Sequence, residues 1–416
     1  MNDKKYEELE INAVHSAVEC FEKFIEFINV EKPILSAKRA MLGKNDCFKL
    51  NSILNFRKDV VAPNYTQDQY PIIDLMFHIA LDGRLLIKSE NKKGKPILAE
   101  TPNLKQYQSL NEYEKYVYLL QIYWTKYDFK HNTDDMSSLS MFMFSLEGIS
   151  NAESEKYLSE RISYSIKSSY YHLEFFGFGS LILNEKKLNS FSRDIARFYR
   201  NDFGIKIGSF LKKKAYKYIN DDIFRYFIQN SNLKGSKNLV DLSEENPFVV
   251  FKNIFPNKNV NKTVDPIDVL IDRSGAYLFK VSLKYESDTW RTIRLSHEHT
   301  LEDLHNAIQT AFDFDDDHLY AFYINGNSKT GREIKGCPFG GEDFFGEDEI
   351  TSDKVTIGDL ELYKGARIYY VFDFGDNWEF DIVVKEIDKN APFPIDAEIV
   401  ESKGKSPQQY RSWDDE

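Results

Sequence analysis

YYVFDFGDNWEFDIVV, residues 369–384, is the stretch whose reading decides the fold. Two runs of β-branched and aromatic residues flank Gly375, Asp376 and Asn377, which is a hairpin signature. A two-residue loop at Gly375-Asp376 or Asp376-Asn377 puts Asp373 on one face with Tyr369, Val371, Trp378, Phe380 and Ile382. Phe372, Phe374, Glu379 and Asp381 then share the other face. A bulge or a three-residue loop reverses the assignment and makes Glu379 the inward acid. In the first register Asp373 lies among apolar side chains and needs a partner, because a lone buried carboxylate is costly. His305, His318 and Arg291 are the candidate partners. The architectural reading is a buried His–Asp or Arg–Asp pair that fixes the hairpin. The functional reading is a polar site, since carboxylates with histidines suit a metal or an acid–base pair.

Outward from the hairpin, YLFKVSLKY (277–285) and RTIRLS (291–296) alternate as strands. TLEDLHNAIQTAF (300–312) reads as a helix with Thr300 and Asp303 as a capping pair and Leu301, Leu304, Ile308 and Ala311 as its apolar stripe. His305 stands beside that stripe and is expected to face the sheet. HLYAFYING (318–326) is a further strand, followed by an acidic, glycine-rich loop from Gly336 to Glu349. This order predicts an α+β domain, one helix packed on a mainly antiparallel sheet.

Residues 1–230 read as mainly helical. EYEKYVYLLQIYWTKY (112–127) has the spacing of a core helix. One pattern occurs twice, at 70–104 and at 157–199: a helix, a Gly-bearing turn, a strand, a charged tip and a second strand. Helix plus charged β-wing is the outline of a winged-helix module. Lys92, Lys93 and Lys95 at the first tip are the candidate DNA contacts, against the plainer reading of a solvated hairpin. Residues 231–275, rich in Asn, Ser, Lys and Pro, are expected as a linker. The domains are thus 1–230, the linker 231–275, an α+β domain 276–400 and an acidic tail 401–416.

The net charge of −12 is unevenly spread. From Gly275 onward there are 15 Lys and Arg against 30 Asp and Glu; the remainder holds 39 against 36. The acidic half repels a phosphate backbone, so a nucleic-acid partner is expected only before about residue 230. Cys20, Cys47 and Cys337 are far apart and form no C-x-x-C pair, which points away from zinc knuckles and disulfides. No leader-like segment and no long apolar run stand out, so a cytoplasmic protein with no membrane partner is expected. His297 and His299 share a strand face as weaker ligand candidates. GCPFGGEDFFG lacks the Lys-Ser/Thr of a phosphate-binding loop, and EDFFGEDE lacks EF-hand spacing.

The stretches TWRTIRL, TLEDLHNAIQTAFDFDDDHLYAFYI and DLELYKGARIYYVFDFGDNWEFDI together resemble the plasmid pRiA4b ORF-3-like family, also met as passenger proteins of insertion elements. The resemblance covers about residues 276–400. Its signature falls on Trp290, Arg291, Leu304, His305, Asp316, His318, Phe322, Asp373, Phe374, Gly375, Asp376 and Trp378. ILSAKRAMLGKNDCFKLN (34–51) is similar to the winged-helix-like accessory region that often precedes this domain. Two histidines of the family pattern are replaced, by Tyr320 and Phe380, and its cysteine-containing tail is missing. The resemblance implies no established activity.

The leading expectation is a non-enzymatic nucleic-acid- or protein-binding accessory protein associated with mobile elements, without a cofactor. DNA is assigned to residues 1–230 and a protein partner to the acidic domain, with Trp290, Arg291 and Trp378 as binding candidates there. The alternative is a metal-dependent hydrolase or nuclease with a pocket of His305, His318, Asp373, Asp376 and Glu379; it requires these side chains to converge on one cleft. A third expectation is an oligomerising sheet edge.

Overall fold

The computed structural model describes residues 3–36, 39–127, 156–157, 164–183, 195–219, 246–265, 273–324, 332–338, 350–360 and 362–410. The acidic stretch EDFFGEDE and parts of the second repeat lie outside these residues. The chain forms two compact units. One comprises residues 1–33, 42–87 and 99–268; the other comprises 34–41, 88–98 and 269–416.

The first unit is mainly helical. Its helices are α1 (Asp3–Glu31), α2 (Lys44–Ile53), α3 (Pro71–Asp82), α4 (Pro102–Ser109), α5 (Glu112–Thr125), α6 (Tyr164–Phe175) and α7 (Asp202–Phe210). Ala13, Ala17, Phe21, Phe24 and Ile28 of α1 are buried, the i, i+3/i+4 stripe of a helix with one face in the core. Tyr116, Leu119, Leu120, Tyr123 and Trp124 of α5 are buried with them. Asn111 and Glu114 cap α5 reciprocally.

Both copies of the repeated pattern contain a β-hairpin. In the first, α3 leads to β1 (Leu86–Glu90) and β2 (Pro96–Glu100), and Thr101 then caps α4. In the second, α6 leads to β4 (Gly179–Leu183) and β5 (Ile195–Arg200), and Asn201 caps α7. The two-residue β3 (Lys156–Tyr157) adds to β5. Gly177 makes the second turn with φ +73, where a Cβ would stand 2.3 Å from the Cβ of Ala13. Only glycine meets both demands.

The segment expected as a linker is partly core. Phe251, Ile254, Phe255, Val260 and Val264 are buried. Phe255 stacks on Phe203 at 6.2 Å, and the Glu114 carboxylate accepts the amides of Asn261 and Lys262. The average composition of 231–275 hid these apolar positions, which the helical unit uses as packing.

The second unit holds a seven-stranded sheet. Its strands are β6 (Ala276–Leu283), β7 (Trp290–Ser296), β8 (Tyr320–Ile324), β9 (Arg332–Gly336), β10 (Arg367–Phe372), β11 (Trp378–Asp388) and β12 (Glu398–Lys403). The order is β12-β7-β6-β11-β10-β8-β9, and every described ladder is antiparallel. Helix α8 (Leu301–Phe312) begins at the predicted capping box of Thr300 and Asp303. It meets the sheet through Phe312 on Phe380 at 5.1 Å and Gln309 on the Tyr370 hydroxyl at 2.8 Å. The expected acidic tail is partly structural. It supplies the second half of β12, and Gln409 binds both the amide and the carbonyl of Asp315.

Candidate functional site

The hairpin register decides which acid points where. Phe372 pairs with Trp378, Val371 with Glu379 and Tyr370 with Phe380. Residues 373–377 therefore form a five-residue connection. An odd loop reverses the parity that a two-residue loop gives, so the assignment of Asp373 to a strand face with Tyr369 and Val371 is corrected. Asp373 and Asn377 take left-handed φ values of 53° and 59°. Among non-glycine residues, Asp and Asn tolerate this region best.

Asp373 closes the turn. Its carbonyl accepts the Asn377 amide at 2.6 Å, and its own amide donates to the Leu319 carbonyl. One carboxylate oxygen accepts the amides of Gly375 at 2.8 Å and Asp376 at 3.3 Å. The other lies 3.7 Å from His318 Nδ1. The buried Asp373 carboxylate thus supplies the acceptor for the Gly375 and Asp376 amides of the turn. Asp373→Ala is expected to lower the stability of the domain by about 2 kcal/mol, and Asp373→Asn by less, because asparagine keeps the acceptor and the left-handed preference. Urea melts of the two variants check the order.

His305 sits elsewhere, sealed beneath the sheet and 1% exposed. Its Nδ1 lies 2.6 Å from the Tyr370 hydroxyl, and its Nε2 lies 2.8 Å from Asp316 Oδ1. Gln309 Nε2 donates to the same Tyr370 oxygen. Gln309 donates to Tyr370, and a neutral imidazole that carries its proton on Nε2 accepts from Tyr370 and donates to Asp316, closing a four-residue chain. Burial pushes its pKa down, against the opposing hydrogen bond to Asp316. Tyr320 stacks on the ring at 3.5 Å and 4°. Tyr320 and Phe380, the two positions where the resemblance implies histidine, both pack against Tyr370, at 6.1 and 5.5 Å.

His318 lies at the surface. It contacts Asp317 at 2.7 Å, whose carboxylate accepts from the Tyr410 hydroxyl at 2.6 Å. The Asp317 hydrogen bond, with help from Asp373, raises the His318 pKa. Asp376 is exposed in the loop.

Glu379 is on the opposite face from Tyr370. It binds Lys284 Nζ at 2.8 Å and the Tyr369 hydroxyl. Burial acts to raise its carboxyl pKa, and the hydrogen bonds from Lys284, Tyr285 and Tyr369 outweigh it and hold the group below the usual range. The five residues of the expected pocket therefore fall into three places: His305 in the sealed core, His318, Asp373 and Asp376 about the turn, and Glu379 on the far side of the sheet. The convergence that the hydrolase or nuclease expectation required is not met. Among the described residues, no group of three or more His, Cys, Asp and Glu side chains is placed to hold a metal ion.

Arg291 does not reach the hairpin carboxylates either. It is buried over the Phe312 ring and donates to the carbonyls of Ala311, Trp290, Lys403 and Gly404 and to Ser406 Oγ. It ties the end of α8 and the end of β12 to β7. Trp290 is half-buried with Lys280 Nζ 4.5 Å from its ring. Trp378 is half-buried edge-on to Phe314. His299 bonds Ser296 through Nδ1, and His297 packs on Phe393. Lys92, Lys93 and Lys95 are exposed at the first hairpin tip, where the Asn91 side chain accepts the amides of Lys93 and Lys95. Sequence reasoning missed Gln309, Tyr370, Lys284 and Tyr410. Gln309 was within reach, four residues beyond His305 and so on the same helix face.

Residues 275–409 match the family model described as plasmid pRiA4b ORF-3-like protein. A crystal structure of a protein of unknown function from Methanosarcina mazei Go1 is similar at 30% identity, over 32% of this chain and 72% of that one, with a TM-score of 0.25. No curated protein matches the chain. No helix among the described residues is long and apolar enough to cross a membrane.

Proposed function

Residues 275–409 belong to the plasmid pRiA4b ORF-3-like family, and from that premise we propose that the chain is a non-enzymatic cytoplasmic binding protein, an accessory to mobile elements. Its C-terminal domain, one helix on an antiparallel sheet, recognises a protein partner. The observation that carries this reading is the use of the hairpin acids and His305. Each is committed to a turn, a buried hydrogen-bond chain or a sheet-face ion pair, rather than to one reactive cleft. The charge supports it too: with twice as many acidic as basic residues from Gly275 on, the domain favours a basic surface over a phosphate backbone. The plasmid-derived family description is what supports the mobile-element setting.

A second reading, DNA contact by winged-helix-like residues 1–230, is favoured by the exposed Lys92, Lys93 and Lys95 on one hairpin tip, which falls in the compact unit of residues 34–41, 88–98 and 269–416. Both readings are tested on the full chain. Labelled duplex DNA is titrated at low and moderate salt, beside the Lys92/Lys93/Lys95→Glu variant, and partners are captured by cross-linking in cell lysate. Salt-sensitive DNA binding abolished in the variant supports the wing. A cross-linked protein mapped to residues 275–409 supports the principal reading. Absence of any macromolecular partner in both experiments overturns the binding proposal.

A further inference from the structure

Resting on that reading of the C-terminal domain, we propose that the β12 edge of the sheet receives an extended, Lys- or Arg-bearing segment of a protein partner as an added strand. The terminal strand β12 pairs with β7, and no further strand continues the sheet beyond it among the described residues. All six of its residues are exposed. A free strand edge offers a row of unpaired amides and carbonyls, which is the template for strand addition.

The edge is bordered by a groove of about 620 Å³ between α8 and the segment leading into β12. Its two walls differ. Phe393, Ile395 and Ile399 line it with apolar surface, and they are 43%, 92% and 44% exposed. Isolated exposed apolar residues are ordinary, but three together beside an open edge form a patch that association would cover. Glu298, Asp303 and Asp396 supply the polar wall, and no Lys or Arg lines the groove. Strand Glu398–Lys403 adds Glu401, while its Glu398 is paired with Arg294 at 3.2 Å and its Lys403 with Asp288 at 2.9 Å.

The faces are set by the register. Ile399 pairs with Ile293, and Ile399 lines the groove beside Ala307 and Thr310 of α8. An added strand therefore directs alternate side chains over the groove. Apolar ones cover Phe393 and Ile395, and basic ones reach the carboxylates. The ladder slips between Ile399 and Glu401. A bulge at this point limits indiscriminate pairing along the whole edge, so side-chain chemistry rather than backbone alone selects the partner.

The test is fluorescence anisotropy on the full chain with labelled peptides of about eight residues, a common strand length. One carries Val and Lys in turn at every second position, with Ser between, so that both classes face the groove; a second replaces Lys with Glu; a third keeps the Val and Lys positions and places Pro between them. The Lys peptide is expected to bind, the Glu peptide at least roughly tenfold more weakly, and the Pro peptide not at all. The double variant Glu298→Lys/Asp396→Lys is expected to weaken the Lys peptide by roughly tenfold at an unchanged melting temperature. Equal binding of the Lys and Glu peptides, or binding indifferent to the double variant, overturns the proposal. So does a concentration-dependent dimer in light scattering that the Lys peptide does not dissociate, which assigns the edge to a second copy of the chain. If a captured partner cross-links within 275–409 but away from 393–403, the strand-addition proposal fails while the recognition reading stands.

Discussion

Replacing Arg291 with alanine is expected to destabilise the C-terminal domain by roughly 3 kcal/mol or more, the largest single-residue effect in its polar network. The guanidinium donates to four backbone carbonyls and one hydroxyl while covering Phe312 at 4.6 Å. Truncation removes the donor that the Ala311, Lys403 and Gly404 carbonyls share. Each lost bond from a charged donor is worth about 1.5–3 kcal/mol, offset by relief from burying the cation. These partners are all neutral, and burial lowers the Arg291 pKa. Arg291→Lys is expected to fail nearly as badly, because one ammonium cannot span targets on α8, β7 and the chain beyond β12. Calorimetry gives the magnitude. Hydrogen exchange gives the mechanism: the amides of residues 398–403 lose protection before those of β10 and β11. Uniform loss across the sheet contradicts the assignment of Arg291 as the tie for β12.

The second large effect is acid sensitivity above the carboxylate range. His172 is fully enclosed in the helical unit, with the Tyr123 hydroxyl 3.1 Å from its Nδ1. Burial, with His78 adding to it and Asp74 opposing, pushes its pKa down to about 4 from 6.5. The unfolded chain therefore takes up a proton near pH 6.5, and the folded one only near pH 4. Between those values the unfolded state binds more protons, so stability falls as the pH falls. The loss is about 3 kcal/mol by pH 4. His305 is shifted in the same direction in the other unit, so both units weaken together. His318 has a raised pKa and works the opposite way, but it is exposed and counts for little. Melting temperature against pH from 7 to 4 checks this. His172→Gln is expected to flatten the slope. A slope that is unchanged in the variant contradicts the assignment.

Much of the fold was legible because it is written locally. Thr300 and Asp303 stand three apart, and the capping box they form needs nothing beyond that turn. The alternation in 277–285 and 291–296 fixes which residues face α8. The hairpin parity was not legible. It depends on whether the connection holds two residues or five, and Asp373 and Asn377 enter the left-handed region without the glycine that would announce it. Trp290-Arg291 reads as a surface recognition pair, yet the targets of Arg291 lie twenty residues away at Ala311 and more than a hundred away at Lys403. No local signal carries such a separation. The same holds for His305. Its place on the inner face of α8 was foreseeable, whereas its partnership with Tyr370 depends on the strand pairing of the sheet. Composition misled once, where Phe251 and Phe255 sit in an Asn- and Lys-rich stretch and pack as core.

If the histidine and acids around DFGDNW serve architecture, His305 must hold one protonation state in the folded chain. Long-range ¹H–¹⁵N spectra of the ¹⁵N-labelled full chain report the protonation of each imidazole nitrogen. A neutral His305 with the proton on Nε2 is expected, unchanged from pH 7.5 down to 5.5 and unmoved by added Mg²⁺, Mn²⁺ or Zn²⁺. A His305 that titrates near its ordinary pKa of 6.5, or whose resonances shift on adding a divalent cation, contradicts it and returns the hairpin to the status of a reactive site.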